Sequence, residues 1–78
     1  MDKETEFFVY LIERYGAARG QTGGQVLERL DAAGLTDFVF SMYGLYHAER
    51  LENAFDDLDE LFANGVPPET PARSVQNG

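Results

Sequence analysis

Apolar side chains recur at three-and-four spacing along most of this chain. Between Asp2 and about Arg19, Phe8, Leu11, Ile12, Tyr15 and Ala18 fall on one side of a helix, with Phe7, Val9 and Tyr10 widening the stripe. Residues i, i+3, i+4 and i+7 share a helix face, so this spacing predicts a first helix. Asp2, Glu4 and Glu6 put negative charge at its start, where it complements the helix dipole, and Gly20 offers a left-handed stop.

Thr22-Gly23-Gly24-Gln25 reads as a capping box. The Thr22 hydroxyl can accept from the Gln25 amide while the Gln25 side chain reaches back. A second helix is predicted from there through Val26, Leu27 and Leu30 to about Ala33, stopped by Gly34. Its two glycines weaken the first turn, by about 1 kcal/mol each relative to alanine if they are helical. Thr36-Asp37 then opens Phe38 to His47, apolar on nearly every side. Its aromatic and β-branched residues also suit a strand. Thr36 as a cap, and the lack of any partner strand, favour a third and central helix.

The fourth helix is predicted from about Arg50 to Ala63, where Leu51, Phe55, Leu58 and Phe62 recur at offsets of four, three and four with Ala54 and Leu61 beside them. Asn64-Gly65 ends it, and Val66-Pro67-Pro68 blocks continuation. The expected architecture is all-α: a compact bundle of four short helices over residues 3–65, with a flexible tail over 66–78.

Seventy-eight residues allow one small core. Domains near sixty residues hide only about 60% of their unfolded surface, so stability needs good helix packing or another chain. Cysteine is absent, which excludes disulfides and thiolate metal sites. Fourteen acids against six Lys and Arg give a net charge of −8. Such a field repels phosphate backbones and anionic membrane surfaces, so neither nucleic acid nor membrane is an expected partner. The polar, acidic start lacks the form of a secretory leader, and no stretch is long enough to span a bilayer. A cytoplasmic location is the default expectation.

Candidate chemistry is sparse. Glu52, Asp56, Asp57, Asp59 and Glu60 make one side of the last helix negative, with only Arg50 close in sequence. This cluster reads either as a solvated face or as a docking edge for a basic partner. Asp56 and Glu60 stand one turn apart, but the calcium-loop spacing is missing, so no metal is expected. His47, the single histidine, falls at the end of the third helix, where an imidazole commonly caps the last carbonyls. A sharper alternative sets it near Asp57 or Asp59. Ser41 is off the helical face of His47 and no third orienting group is apparent, so no catalytic residues and no cofactor are expected. Gly20 to Gly24 lacks the phosphate-loop ending and reads as a turn between helices. Four Tyr and six Phe are many for one thin core. Tyr10, Tyr15, Phe40, Tyr43 and Tyr46 cannot all point inward, so a surface patch is expected unless large rings simply enlarge the core.

Phe7-Phe8-Val9-Tyr10-Leu11-Ile12-Glu13, Thr22-Gly23 with Val26, Asp37-Phe38, Tyr43 with His47, and Asp57-Leu58-Asp59-Glu60 together resemble, in order and spacing, the short bacterial domain of unknown function numbered three-seven-nine-one. Gly44 departs from it, standing where an acidic residue is expected before the histidine. The resemblance implies a compact helical protein without assigned catalytic residues, often encoded beside an ADP-ribosyltransferase-like toxin. The functional expectation is therefore a non-enzymatic protein-binding module, an antitoxin or accessory partner of such a toxin. The residues expected to touch the partner are Tyr43, Tyr46, His47, Asp56, Asp57, Asp59 and Glu60. A homodimer built on the aromatic patch is the alternative.

Overall fold

The computed structural model describes residues 1–67. Within them the chain is all-helical: α1 (Lys3–Arg19), α2 (Gly23–Ala33), α3 (Thr36–Ser41), α4 (Tyr43–Tyr46) and α5 (Leu51–Asn64). Asp2 caps α1 by accepting from the Thr5 amide at 2.7 Å. Thr22 caps α2 with both halves of the predicted box, Gln25 N–H to Thr22 Oγ1 at 3.0 Å and Thr22 N–H to Gln25 Oε1 at 2.9 Å. Gly20 and Gly34 close α1 and α2 at φ 75° and 71°, a left-handed geometry natural to glycine. The next amides, of Gln21 and Leu35, reach back to the Gly16 and Leu30 carbonyls at 2.7 and 2.8 Å, which satisfies the helix ends. The expected tail lies, from residue 68 onward, outside the described residues.

The predicted third helix is two. It breaks at Met42, whose φ of −86° and ψ of 12° leave the helical region. There the Met42 amide takes the Val39 carbonyl at 3.0 Å, a tightened three-residue step. Nor does Thr36 cap α3. Leu35 holds that position without a side-chain bond, and the Thr36 hydroxyl donates to Asp31 instead. The break lets the two pieces meet α1 separately: Phe40 of α3 lies 5.7 Å from Phe8, and Tyr43 of α4 lies 5.8 Å from Phe7, ring centre to ring centre.

One core joins all five helices. Leu11, Ile12 and Tyr15 of α1, Val26 and Leu30 of α2, Leu35, Val39, Tyr46, and Ala54, Leu58 and Leu61 of α5 are buried together. Each large side chain removed from water in this way contributes roughly 1.5–3 kcal/mol, the main force holding so short a chain. The helix faces are narrower than the sequence pattern suggests, since Val9, Tyr10 and Ala18 are exposed. The α1–α2 crossing is set by Gly16, which is buried. A Cβ there would stand 2.5 Å from the Gln21 carbonyl oxygen, so the turn can close against α1 only because that atom is missing.

Candidate functional site

The buried stripe of α5, Ala54-Leu58-Leu61, has a carboxylate on each flank, because residues one position either side of Leu58 diverge around a helix. On one flank Asp59 meets α1. Tyr15 and Arg19 sit four apart on α1, and both reach across. The Tyr15 hydroxyl donates to Asp59 Oδ1 at 2.6 Å, Arg19 Nε donates to the same oxygen at 3.1 Å, and Arg19 Nη2 donates to Oδ2 at 2.6 Å. The guanidinium beside it, then the phenol, hold the Asp59 carboxyl below the usual carboxylate range. Tyr15 is raised in turn, first by burial and then by its bond to Asp59.

On the other flank Asp57 lies toward Tyr46. Burial raises the Tyr46 phenol most, and the Asp57 carboxylate and then Glu49 raise it further. Tyr46 is 1% exposed, which corrects its expected place at a contact surface: it is a core residue. Asp59, although exposed, is taken up by Tyr15 and Arg19 of the same chain, so the acidic face is offset by Arg19 of α1 as well as by Arg50, whose Nε stands 3.8 Å from Glu52. Asp56 and Glu60 face away from the core and are exposed, Glu60 accepting from the Asn64 amide at 2.9 Å.

The second grouping gathers around α4. Tyr43 and His47, four apart, stack with ring centres 4.1 Å apart and planes within 3°. Phe7 of α1 meets them edge-on, 5.8 Å from Tyr43 and 6.4 Å from His47, and Tyr10 lies 6.3 Å from Phe7. Phe7 and Tyr43 are half-buried, while His47 and Tyr10 are exposed, Tyr10 at 48%. His47 Nδ1 is 2.6 Å from the Tyr43 carbonyl. A carbonyl only accepts, so Nδ1 carries the proton and Nε2 is turned to the other side of the ring. This is the C-terminal capping role that the position suggested. The alternative, His47 beside Asp57 or Asp59, is not what the fold builds, since its neighbours are Tyr43 and Phe7.

Sequence reasoning named Tyr43 and His47 but missed Phe7, and missed the Tyr15–Arg19–Asp59 clasp entirely. The available signal for the clasp was Arg19, a cation four residues beyond a core tyrosine and one helix face from solvent. Ser41 donates to the Phe38 carbonyl at 2.6 Å, so neither it nor His47 is turned toward the other as nucleophile and base. An open polar depression lined by Asp31, Gly34, Thr36 and Asp37 lies at the start of α3. Among the described residues no three His, Asp or Glu side chains gather as a metal site, and no helix is long and apolar enough to cross a membrane.

The sequence model of the family described as Protein of unknown function (DUF3791) matches residues 6–64, which takes in α2 to α5 whole and nearly all of α1. The chain belongs to DUF3791. A comparison with curated proteins finds no match, and neither does one with solved structures. Within this DUF3791 chain, two of the segments that carried the resemblance, Phe7 to Glu13 and Tyr43 with His47, build the ring cluster, and a third, Asp57 to Glu60, supplies Asp59 to the clasp, whose Tyr15 and Arg19 lie outside them.

Proposed function

We propose that this chain is a small protein-binding module without catalytic activity, and that it docks through the rings of Phe7, Tyr10, Tyr43 and His47. The observation that carries the reading is that these rings form one connected group across α1 and α4 and still meet solvent. Aromatic clusters of this kind are what partner surfaces bury most effectively, because a ring brings large area with few rotatable bonds. The net charge of −8, with Asp56 and Glu60 on the outer side of α5, draws in a positively charged partner and speeds its encounter.

The partner class is the one the family resemblance implies, a neighbouring ADP-ribosyltransferase-like toxin, with this chain as the antitoxin or accessory protein that restrains it in the cytoplasm. Co-expression tests this directly. The tagged chain retains the neighbouring gene's product at micromolar concentration and relieves its toxicity, and replacing Tyr43 and His47 weakens both effects. Failure of the intact chain to retain that product or relieve its toxicity sinks the toxin reading. A homodimer on the same rings would bring two bodies of charge −8 together. Light scattering that shows a stable dimer, with unfolding midpoint rising with concentration, would replace the partner reading with that one.

A further inference from the structure

We infer that the Phe7, Tyr43 and His47 cluster takes an arginine side chain presented by a protein partner. The inference rests on the protein-binding reading and deepens it by naming the chemistry of the contact. The chain supplies its own precedent. Arg14 lies 5.7 Å from the Tyr10 ring centre, Arg19 lies 5.0 Å from Tyr15 and 5.7 Å from Phe55, and Arg29 lies 3.9 Å from Phe62. Rings along α1 and α5 are thus covered by guanidinium groups of the same chain. Among the described residues no arginine covers Phe7, Tyr43 or His47.

The shape and charge of that place suit the same group. Tyr43 and His47 lie parallel, giving a flat aromatic step with Phe7 edge-on beside it. A guanidinium is planar, weakly hydrated for a cation, and stacks on such steps, whereas an ammonium is compact and holds its water more tightly. The chain around that place is acidic rather than basic: Glu49, two residues after His47, is exposed, and the whole chain carries a net charge of −8. A second copy of this chain is the less suitable occupant, since it brings the same net charge of −8.

The test uses the full chain and three capped helical peptides of one sequence, carrying on one face arginine, lysine or the uncharged isostere citrulline. Ring-proton signals report where each peptide binds. Arginine should bind roughly tenfold tighter than lysine, with citrulline weakest, and should shift the signals of Phe7, Tyr43 and His47. Tyr43→Leu with His47→Ala should bring the arginine peptide down to the lysine level. Should that pair disturb the helical circular dichroism, His47→Ala alone, at an exposed position, should still lower the arginine preference severalfold. Equal binding of arginine and lysine, shifts confined to α5, or an arginine preference that survives these changes overturns the inference. Retention of the co-expressed partner through Tyr43 and His47 without any arginine preference sinks this inference and leaves the protein-binding reading standing. An arginine preference in a chain that retains no such partner sinks the toxin reading and leaves this inference standing.

Discussion

Gly16→Ala is expected to destabilise the chain, against what helix propensity says. In a helix interior, glycine to alanine gains about 1 kcal/mol. At Gly16 the new Cβ stands 2.5 Å from the Gln21 carbonyl oxygen and 3.1 Å from the Gln21 and Thr22 carbonyl carbons, all of them backbone. Ordinary contact begins at 3.4 Å, so the turn into α2 is about 0.9 Å too close. Overpacking of this kind costs about 1–3 kcal/mol. Moving the turn away also strains the 2.7 Å bond from the Gln21 amide to the Gly16 carbonyl, a loss of about 1 kcal/mol. The net expectation is a loss of about 2 kcal/mol, a large share of a total stability of order 5 kcal/mol. Gly44→Ala is the matched control, because α4 is helical there and nothing lies within 4 Å of the added atom. That change should be neutral or gain up to about 1 kcal/mol. Urea unfolding monitored by circular dichroism reads both. With a slope of about 1 kcal/mol per molar for so small a domain, the Gly16→Ala midpoint should fall by about 2 M and the Gly44→Ala midpoint should hold or rise. A Gly16→Ala chain at least as stable as the parent would refute the close crossing of α1 and α2.

Three further expectations concern α5 and the phenols. Leu58→Ala removes a side chain that is 0% exposed, and should cost about 2–5 kcal/mol, enough to leave much of the chain unfolded by calorimetry. Asp59→Asn should cost only about 0.5–1 kcal/mol, since its side chain is partly exposed and screened, Arg19→Ala should destabilise in the same direction, and raised salt should shrink both differences. The Asp59 contribution is present above the ordinary carboxylate value of 3.8 and disappears as pH falls below it toward the lowered native value, so acid unfolding curves of parent and Asp59→Asn should converge at low pH. Tyr15 and Tyr46 are both raised, so their contribution is complete below the ordinary phenol value of 10.0 and is lost as pH climbs above it, the unfolded chain ionising first. Tyr46→Phe should therefore flatten the alkaline loss of stability, whereas a Tyr46 that ionises at the ordinary phenol value of 10.0 in the folded chain would contradict its buried setting.

Much of this fold is legible in the residue pattern. α1, α2 and α5 announce themselves because each has one apolar stripe, a polar remainder, and a cap or glycine stop: Asp2 and Gly20, Thr22 and Gly34, Gly65. The run from Phe38 to His47 has no such contrast. Periodicity carries no phase where every side is apolar, so the break at Met42 is invisible there, while Gly44, the conspicuous weak point, is accommodated within α4. Tyr43 and His47 stand out because their residue types are conspicuous. Their neighbour Phe7, and the bonds from Tyr15 and Arg19 to Asp59, depend on which faces of α1, α4 and α5 oppose one another. Such pairings span some forty positions, and local pattern fixes helices without fixing their mutual rotation. Tyr46 escapes pattern reading for a related reason, since the phenol that looks too polar for the core is buried and takes its charge environment from Asp57 and Glu49.

The turn at Gly20 to Thr22 joins α1 to the helix it packs against with almost no intervening chain. Closing so short a loop costs little entropy, so a hairpin of α1 and α2 can assemble at the speed of local encounters and serve as the platform on which α3, α4 and α5 settle. The helix α5 has no such advantage. Its anchorage to α1, the Asp59 clasp, must wait until partners forty residues distant have found each other. Amide hydrogens of α5 should then exchange sooner than those of the α1–α2 hairpin, and equal protection of the two would show that the whole chain opens as one unit.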